Sequence, residues 1–158
     1  MGAHDHVKAA LRAAGVTEAF WRVALRPGHP TWFGTRDAAP GDGAATLVFG
    51  LPGNPGSAFV TFHLFVAPAL ALLSGRADAP LELDAVYRGP ELAARPGATL
   101  AVRVRLDAGD DAPVAVPTGH NQASHAMTAL VGVDGLALVP AGAGTVADGD
   151  RVRVRVLG

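Results

Sequence analysis

The densest group of residues with chemical potential is Leu51-Pro52-Gly53-Asn54-Pro55-Gly56-Ser57. It follows the apolar run Thr46–Leu51 and precedes a helix-forming segment. A strand, a tight glycine loop and a helix start present unpaired backbone N–H groups at the positive end of a helix, which suits an anion or a polar ligand. The same residues also make a good turn and cap, since Asn54 suits the N-cap and Pro55 the first helical position. Histidines form the second group. His29 stands in Pro27-Gly28-His29-Pro30 and can bind an anion when protonated, or serve as an ordinary loop residue. His4-Asp5-His6 invites a metal reading, but residues two apart do not share a helix face, and a capping Asp5 between solvated histidines accounts for it. His63 reads as a satisfied core histidine. His120 and His125 flank Asn121, Gln122 and Ser124, a group that serves either as site residues or as ordinary loop polarity. Arg103, Arg105, Arg151, Arg153 and Arg155 make a third group, which serves either as an anion-binding face or as a solvated face whose charges prevent edge-to-edge pairing. No nucleophilic triad, phosphate-loop or dinucleotide fingerprint occurs.

These residues need elements to hold them. Residues 5–14 have the spacing of a short amphipathic helix ended by Gly15. Residues 18–25 read as a strand, Pro27–Pro30 as a rigid turn and 37–45 as a loop. The run 46–51 is apolar on both faces, the pattern of a buried strand in a parallel sheet. Residues 55–73 predict a helix apolar almost all round, in which Pro68 kinks the helix or starts a new turn because it has no N–H for the carbonyl of Leu64. With His63 and Pro68 inside it, this segment is read as too short an apolar stretch to span a membrane. Beyond residue 78 the texture changes. Residues 81–87, 99–106, 112–117, 135–139 and 151–157 are strand candidates, and Leu100–Leu106 and Arg151–Val156 alternate apolar and cationic side chains. His120–Val131 between them reads as a loop with one or two helical turns.

Composition sets the outer bounds. The 158 residues suit one ordinary domain or two small ones, and 49% hydrophobic against 17% charged residues provides for a core. A formal net charge of −1 argues against nucleic acid or anionic membrane as partners of the whole chain. The absence of Cys removes disulfides, zinc–thiolate sites, iron–sulfur clusters and cysteine nucleophiles. The start of the chain has no basic-then-apolar signal pattern.

Four blocks in order carry a resemblance: Gly2-x-x-Asp5-x-Val7-Lys8, Pro27–Pro30, Phe49-Gly50-Leu51-Pro52-Gly53-Asn54-Pro55-x-Ser57-Ala58, and Phe65-Val66-x-Pro68-Ala69-Leu70-x-x-Leu73-x-Gly75. With Thr118-Gly119-His120-x-x-x-Ser124-His125, Gly135-Leu136-x-Leu138-x-Pro140 and Gly149-Asp150-x-Val152-x-Val154, the whole chain resembles the molybdopterin molybdenumtransferase family, the MoeA-type enzymes to which the C-terminal part of gephyrin is related. The resemblance implies an α/β fragment, the latter part of a three-layer molybdopterin-binding domain (residues 1–77), followed by a small, mostly β, barrel-like domain (residues 78–158). It implies insertion of molybdate into adenylylated molybdopterin with release of AMP, Mg²⁺ as cofactor, a cytoplasmic location, a homodimer, and no nucleic-acid or membrane partner. By resemblance Pro52, Gly53, Asn54 and Ser57 hold the pterin nucleotide, Asp5 is the catalytic and metal-binding carboxylate, and His29, Pro30, Arg103 and Ser124 receive the molybdate oxyanion. Two departures stand out: His29 where the family usually has Lys, a permanent cation, and Gly56 where it usually has Val. The family's Thr-Gly-Asp motif and two N-terminal domains are absent, so the chain reads as the C-terminal part of a longer enzyme or half of a split one. Two alternatives stay open: a non-catalytic pterin- or oxyanion-binding module acting with a partner chain, and an arginine-faced barrel binding nucleic acid. The lack of an aromatic stacking platform weighs against the latter.

Overall fold

The computed structural model describes residues 6–38, 43–76, 79–119, 122–123, 125 and 127–157. Asp5 and Ser124, both expected site residues, lie outside them, as do His4, His120 and Asn121.

The first half is a helix, a small sheet and a second helix. Helix α1 is Val7–Ala13, and β1 (Thr17–Trp21) follows. The strand expected over 18–25 breaks at Arg22, whose φ of 73° lies in the left-handed region. The chain then resumes as the two-residue strand β2 (Leu25–Arg26), leaves through the turn 27–30 and returns as β3 (Trp32–Arg36). Strand β4 is Thr46–Gly50, and the sheet order is β1-β3-β4 with antiparallel pairing throughout. This corrects the reading of 46–51 as a buried parallel strand. Among the described residues β4 pairs on one side only, and Leu47–Gly50 are half-buried. Phe20, Phe33 and Phe49 line up across the sheet with ring centroids 5.5 and 4.8 Å apart. Helix α1 is tied to the sheet by Glu18, which accepts from the Trp32 indole at 2.7 Å and pairs with Lys8 at 3.2 Å. The ammonium of Lys8 also sits 3.3 Å from the Trp21 ring centroid.

The second helix runs without a break from α2 (Pro55–Thr61) through a π-helical turn (Phe62–Val66) into α3 (Ala67–Leu73). The π turn is how the helix absorbs Pro68: widening the turn before it accommodates the missing N–H and keeps the axis going. The continuous helix Pro55–Leu73 is therefore 19 residues, long and apolar enough to cross a membrane by length and composition. This corrects the expectation that its apolar stretch is too short. Phe62, Leu70, Leu72 and Leu73 are exposed. Asn54 occupies the N-cap position, but its side chain makes no capping bond to the helix.

The second half is a closed five-stranded barrel. Strands β5 (Glu82–Tyr87), β7 (Thr99–Asp107), β8 (Val114–Pro117), β9 (Gly135–Val139) and β11 (Arg151–Val156) run in the spatial order β7-β8-β5-β11-β9, and β9 pairs back onto β7. Strands β6 (Leu92–Ala93) and β10 (Thr145–Val146) form a separate two-stranded ribbon. Closure leaves no edge among these five strands. Ala85, Tyr87, Val102, Val104, Ala115, Ala137, Val152 and Val154 fill the interior.

The period-two alternation then dictates the outside. Ala101 and Leu136, sequence neighbours of the inward Val102 and Ala137, face outward and are covered by Val60 and Leu25, with Phe59, Leu64 and Phe65 packed around them. So α2 and the π turn dock on the barrel wall. Strand β2 adds to the start of β7, pairing Leu25 with Thr99 and Arg26 with Leu100 in parallel. Arg103 also points outward, yet it is 0% exposed. The expected solvated cationic face therefore fails at Arg103, because Thr118, Gln122 and Ala123 cover it. It holds for Arg105, Arg153 and Arg155, each paired with a carboxylate: Asp107 for Arg105, Glu82 and Asp84 for Arg153, and Glu82 for Arg155.

Candidate functional site

A cleft of about 700 Å³ opens where the turn 26–30 and the start of α2 meet the barrel. Arg26, His29, Pro30 and Ser57 line it from the first half, and Glu91, Arg95, Gln122 and Ala123 from the second. Its shape depends on Gly28. The φ of Gly28 is +125°, and a Cβ there would come within 2.6 Å of the Thr61 methyl, so the turn lies flat against α2. Thr31, itself buried, closes the turn by donating its hydroxyl to the Gly28 carbonyl at 2.7 Å. Thr61 on the helix side donates to the Ser57 carbonyl at 2.8 Å. Both partners of the contact are thereby fixed before any ligand arrives.

His29 is exposed, and its Nδ1 donates to the Val23 carbonyl at 2.9 Å. That bond assigns the ring proton to Nδ1 and leaves Nε2 for a ligand: an acceptor when the ring is neutral, a charged donor when it is protonated. Ser57 is 5% exposed at the cleft wall. Arg26 and Arg95 bring two permanent cations against one carboxylate, Glu91, so the cleft has a cationic excess suited to an anionic ligand.

Arg103 lies behind this wall. Gln122 meets its strand as another strand would: Oε1 accepts from the Arg103 backbone N–H at 3.0 Å, and Nε2 donates to the Arg103 carbonyl at 3.1 Å. The Thr118 N–H also donates to the Arg103 carbonyl at 2.9 Å, so the pairing from β8 continues one residue past Pro117 and the Gln122 amide adds to it. The same Oε1 accepts from Arg103 Nε at 3.2 Å, Nη2 donates to the Ala123 carbonyl at 3.3 Å, and Nη1 has no partner among the described residues. Burial pulls the guanidinium below its ordinary pKa, but an arginine stays charged. A buried cation with an unmade hydrogen bond costs about 1–3 kcal/mol or more. No carboxylate among the described residues offsets it.

The structure thus brings His29, Pro30 and Ser57 into one cleft and ties Arg103, which does not line it, to the lining residues Gln122 and Ala123. Pro52, Gly53 and Asn54 do not line this cleft. Sequence reasoning gave no site role to Gln122, Arg26 or Arg95. Arg26 and Arg95 flank the glycine turns Pro27-Gly28 and Pro96-Gly97, the one local signal available; Gln122 has none, because its partners are 4 and 19 residues away. No group of three His, Asp or Glu side chains that could hold a metal occurs among the described residues. Asp5, the expected metal carboxylate, lies outside the described residues, and no step is derived through Mg²⁺.

Two family models match the chain: a probable molybdopterin binding domain over residues 1–72, and the MoeA C-terminal region (domain IV) over residues 89–157. The molybdopterin molybdenumtransferase of Synechococcus elongatus is 35% identical over 164 aligned positions, covering 99% of this chain and 36% of that protein. Gephyrin of Dictyostelium discoideum is 43% identical over 84 positions, covering 48% of this chain and 12% of its own length. Among solved structures, the molybdopterin biosynthesis MoeA protein of Pyrococcus horikoshii superposes with a TM-score of 0.73 at 25% identity, over 94% of this chain and 34% of that one. The molybdenum cofactor biosynthesis protein of Pyrococcus furiosus superposes with a TM-score of 0.69 at 25% identity, over 98% of this chain and 55% of that one. The chain belongs to the MoeA-type molybdopterin molybdenumtransferase family and spans about a third of the length of the Synechococcus relative.

Proposed function

We propose that this chain is the part of a molybdopterin molybdenumtransferase that receives molybdate, for insertion into adenylylated molybdopterin with release of AMP. The observation that carries the reading is the cleft. It joins His29, Pro30 and Ser57 from the region matched to a molybdopterin-binding domain with Gln122, which holds Arg103, from the region matched to the MoeA C-terminal domain. Molybdate is a tetrahedral dianion, and cations with neutral N–H and O–H donors are its natural partners. In this reading His29 Nε2 and the Arg103 guanidinium attract the oxyanion and Ser57 contributes a hydroxyl. The loop Pro52–Ser57 takes the pterin nucleotide, while Asp5 and Ser124 add a carboxylate and a second hydroxyl. The chain's contribution is to position the anion and neutralise its charge before exchange.

The working protein is proposed as a cytoplasmic homodimer with functional units at 1–77 and 78–158, completed by further polypeptide. The exposed Leu70, Leu72 and Leu73 and the one-sided pairing of β4 support such completion, and we read helix Pro55–Leu73 as a packing face for it, not a membrane span. The test is molybdate-dependent release of AMP from adenylylated molybdopterin, assayed with this chain alone and with the polypeptide encoded upstream of it, with and without Mg²⁺. Turnover only with the upstream polypeptide is the expected result. Full turnover by the chain alone contradicts the completion, and no turnover by the combination contradicts the activity; retained pterin binding in the latter case identifies a non-catalytic module.

A further inference from the structure

The strand arginines of the barrel are not treated alike. Arg105, Arg153 and Arg155 are exposed or half-exposed and face carboxylates. Arg103 is the fully buried one, and its principal side-chain partner is a neutral amide. Gln122 spends its whole hydrogen-bonding capacity here. Its two donors go to the carbonyls of Arg103 and Thr118, at 3.1 and 2.9 Å, and its oxygen accepts from the backbone N–H and from Nε of Arg103. The amide is therefore fixed in rotamer and flip state, and it fixes the guanidinium in turn. A carboxylate at the same place would accept the same two bonds while cancelling the charge.

We propose that Gln122 is a positioning residue that holds Arg103 as an oriented, unneutralised buried cation, with Nη1 kept as an unspent donor, so that a tetrahedral oxyanion at the adjoining cleft meets a full positive charge. This inference rests on the oxyanion reading of Arg103 given above. It goes beyond the clamp itself: the two donor bonds to the Arg103 and Thr118 carbonyls already require an amide, and an anion site adds the need for a partner with no charge of its own.

The two roles separate in a pair of variants. Gln122→Glu keeps the size and both acceptor bonds and neutralises Arg103, while giving up the two donor bonds to the carbonyls of Arg103 and Thr118. Gln122→Met keeps the approximate size and the charge of Arg103 but loses every hydrogen bond. Affinity for molybdate, and separately for AMP as a phosphate probe, is measured by titration calorimetry on the whole chain, alongside Tm. The proposal expects the orders to cross. Gln122→Glu weakens oxyanion binding at least tenfold with the smaller loss of Tm, and Gln122→Met loses more Tm but less affinity. The anion whose affinity falls identifies whether Arg103 serves molybdate or a phosphate ester. If affinity and Tm fall in the same order, Gln122 is only a structural clamp and the inference is overturned. If the wild-type chain binds neither anion, the oxyanion reading of Arg103 fails, and this inference falls with it.

Discussion

Gly28 is the residue on which the fold and the cleft depend together, and replacing it gives a prediction whose size follows from geometry. In Gly28→Ala the new Cβ lies 2.6 Å from the Thr61 methyl and 3.0 Å from a Leu25 methyl, at a φ of +125°. The backbone strain of a side chain at that φ costs about 1–3 kcal/mol. The closer overlap is with the methyl of Thr61, a β-branched side chain held in place by its hydroxyl bond to Ser57, and overpacking of that kind costs about 1–3 kcal/mol more. Together the two lower Tm by roughly 5–20 °C for a chain of this size. The second variant, Thr61→Ser, removes the obstructing methyl but keeps the hydroxyl that donates to Ser57 at 2.8 Å. Combined with Gly28→Ala, it should recover the overlap portion, about 1–3 kcal/mol, and leave the φ portion. Calorimetric Tm values for the wild type, both single variants and the double variant measure this coupling. If Gly28→Ala lies within about 1 °C of the wild type, or if Thr61→Ser rescues nothing, the turn does not press on α2 as described.

Two further outcomes follow from individual groups. Burial beside Phe59 and Phe62 holds His63 below the ordinary imidazole value of 6.5, so the folded state takes up its proton later than the unfolded one. Its favourable condition is present above that value and is lost as pH falls, so Tm should drop between about pH 7.5 and 5.5, and His63→Leu should flatten that drop. Glu82 is held low first by the hydrogen bond from Arg155 and then by that from Arg153, so its contribution is present above the ordinary carboxylate value and is lost as pH falls through the depressed one. Glu82→Gln should reduce the acid dependence of Tm in that window, measured at low salt because the pair is partly exposed.

The sequence made the elements legible where one local pattern decided them. Alternating Val and Arg placed β7 and β11 within a residue or two, and the helical spacing of 7–14 gave α1. The long helix was legible too, but the form of its break was not: Pro68 signals an interruption, and only the turn before it shows that a π turn absorbs the fault and keeps the helix whole. For strand β4, a run apolar on both faces suggests a parallel neighbourhood but does not say which neighbour is present; its partner is β3, antiparallel. Arg103 shows the limit for the site. Period two predicts only that it points away from Val102 and Val104, and whether that side is solvent or protein depends on Thr118, Gln122 and Ala123, far along the chain. The cleft is legible in part for the same reason. His29, Pro30 and Ser57 carry sequence signals, whereas Arg95 and Gln122 reach it by barrel closure and by a side chain standing in for a strand.

The central claim is that the oxyanion binds where the turn 26–30 meets the Gln122 wall of the barrel. The most direct test is crystallographic: crystals of the chain soaked in molybdate, with anomalous differences collected above and below the molybdenum absorption edge. The account predicts one dominant molybdenum peak in the cleft, within hydrogen-bonding reach of His29 Nε2 or the Ser57 hydroxyl and on the Arg103 side of it. A dominant peak on the exposed Arg151–Arg155 strand, or at the helix start near Asn54 with the cleft empty, would contradict it.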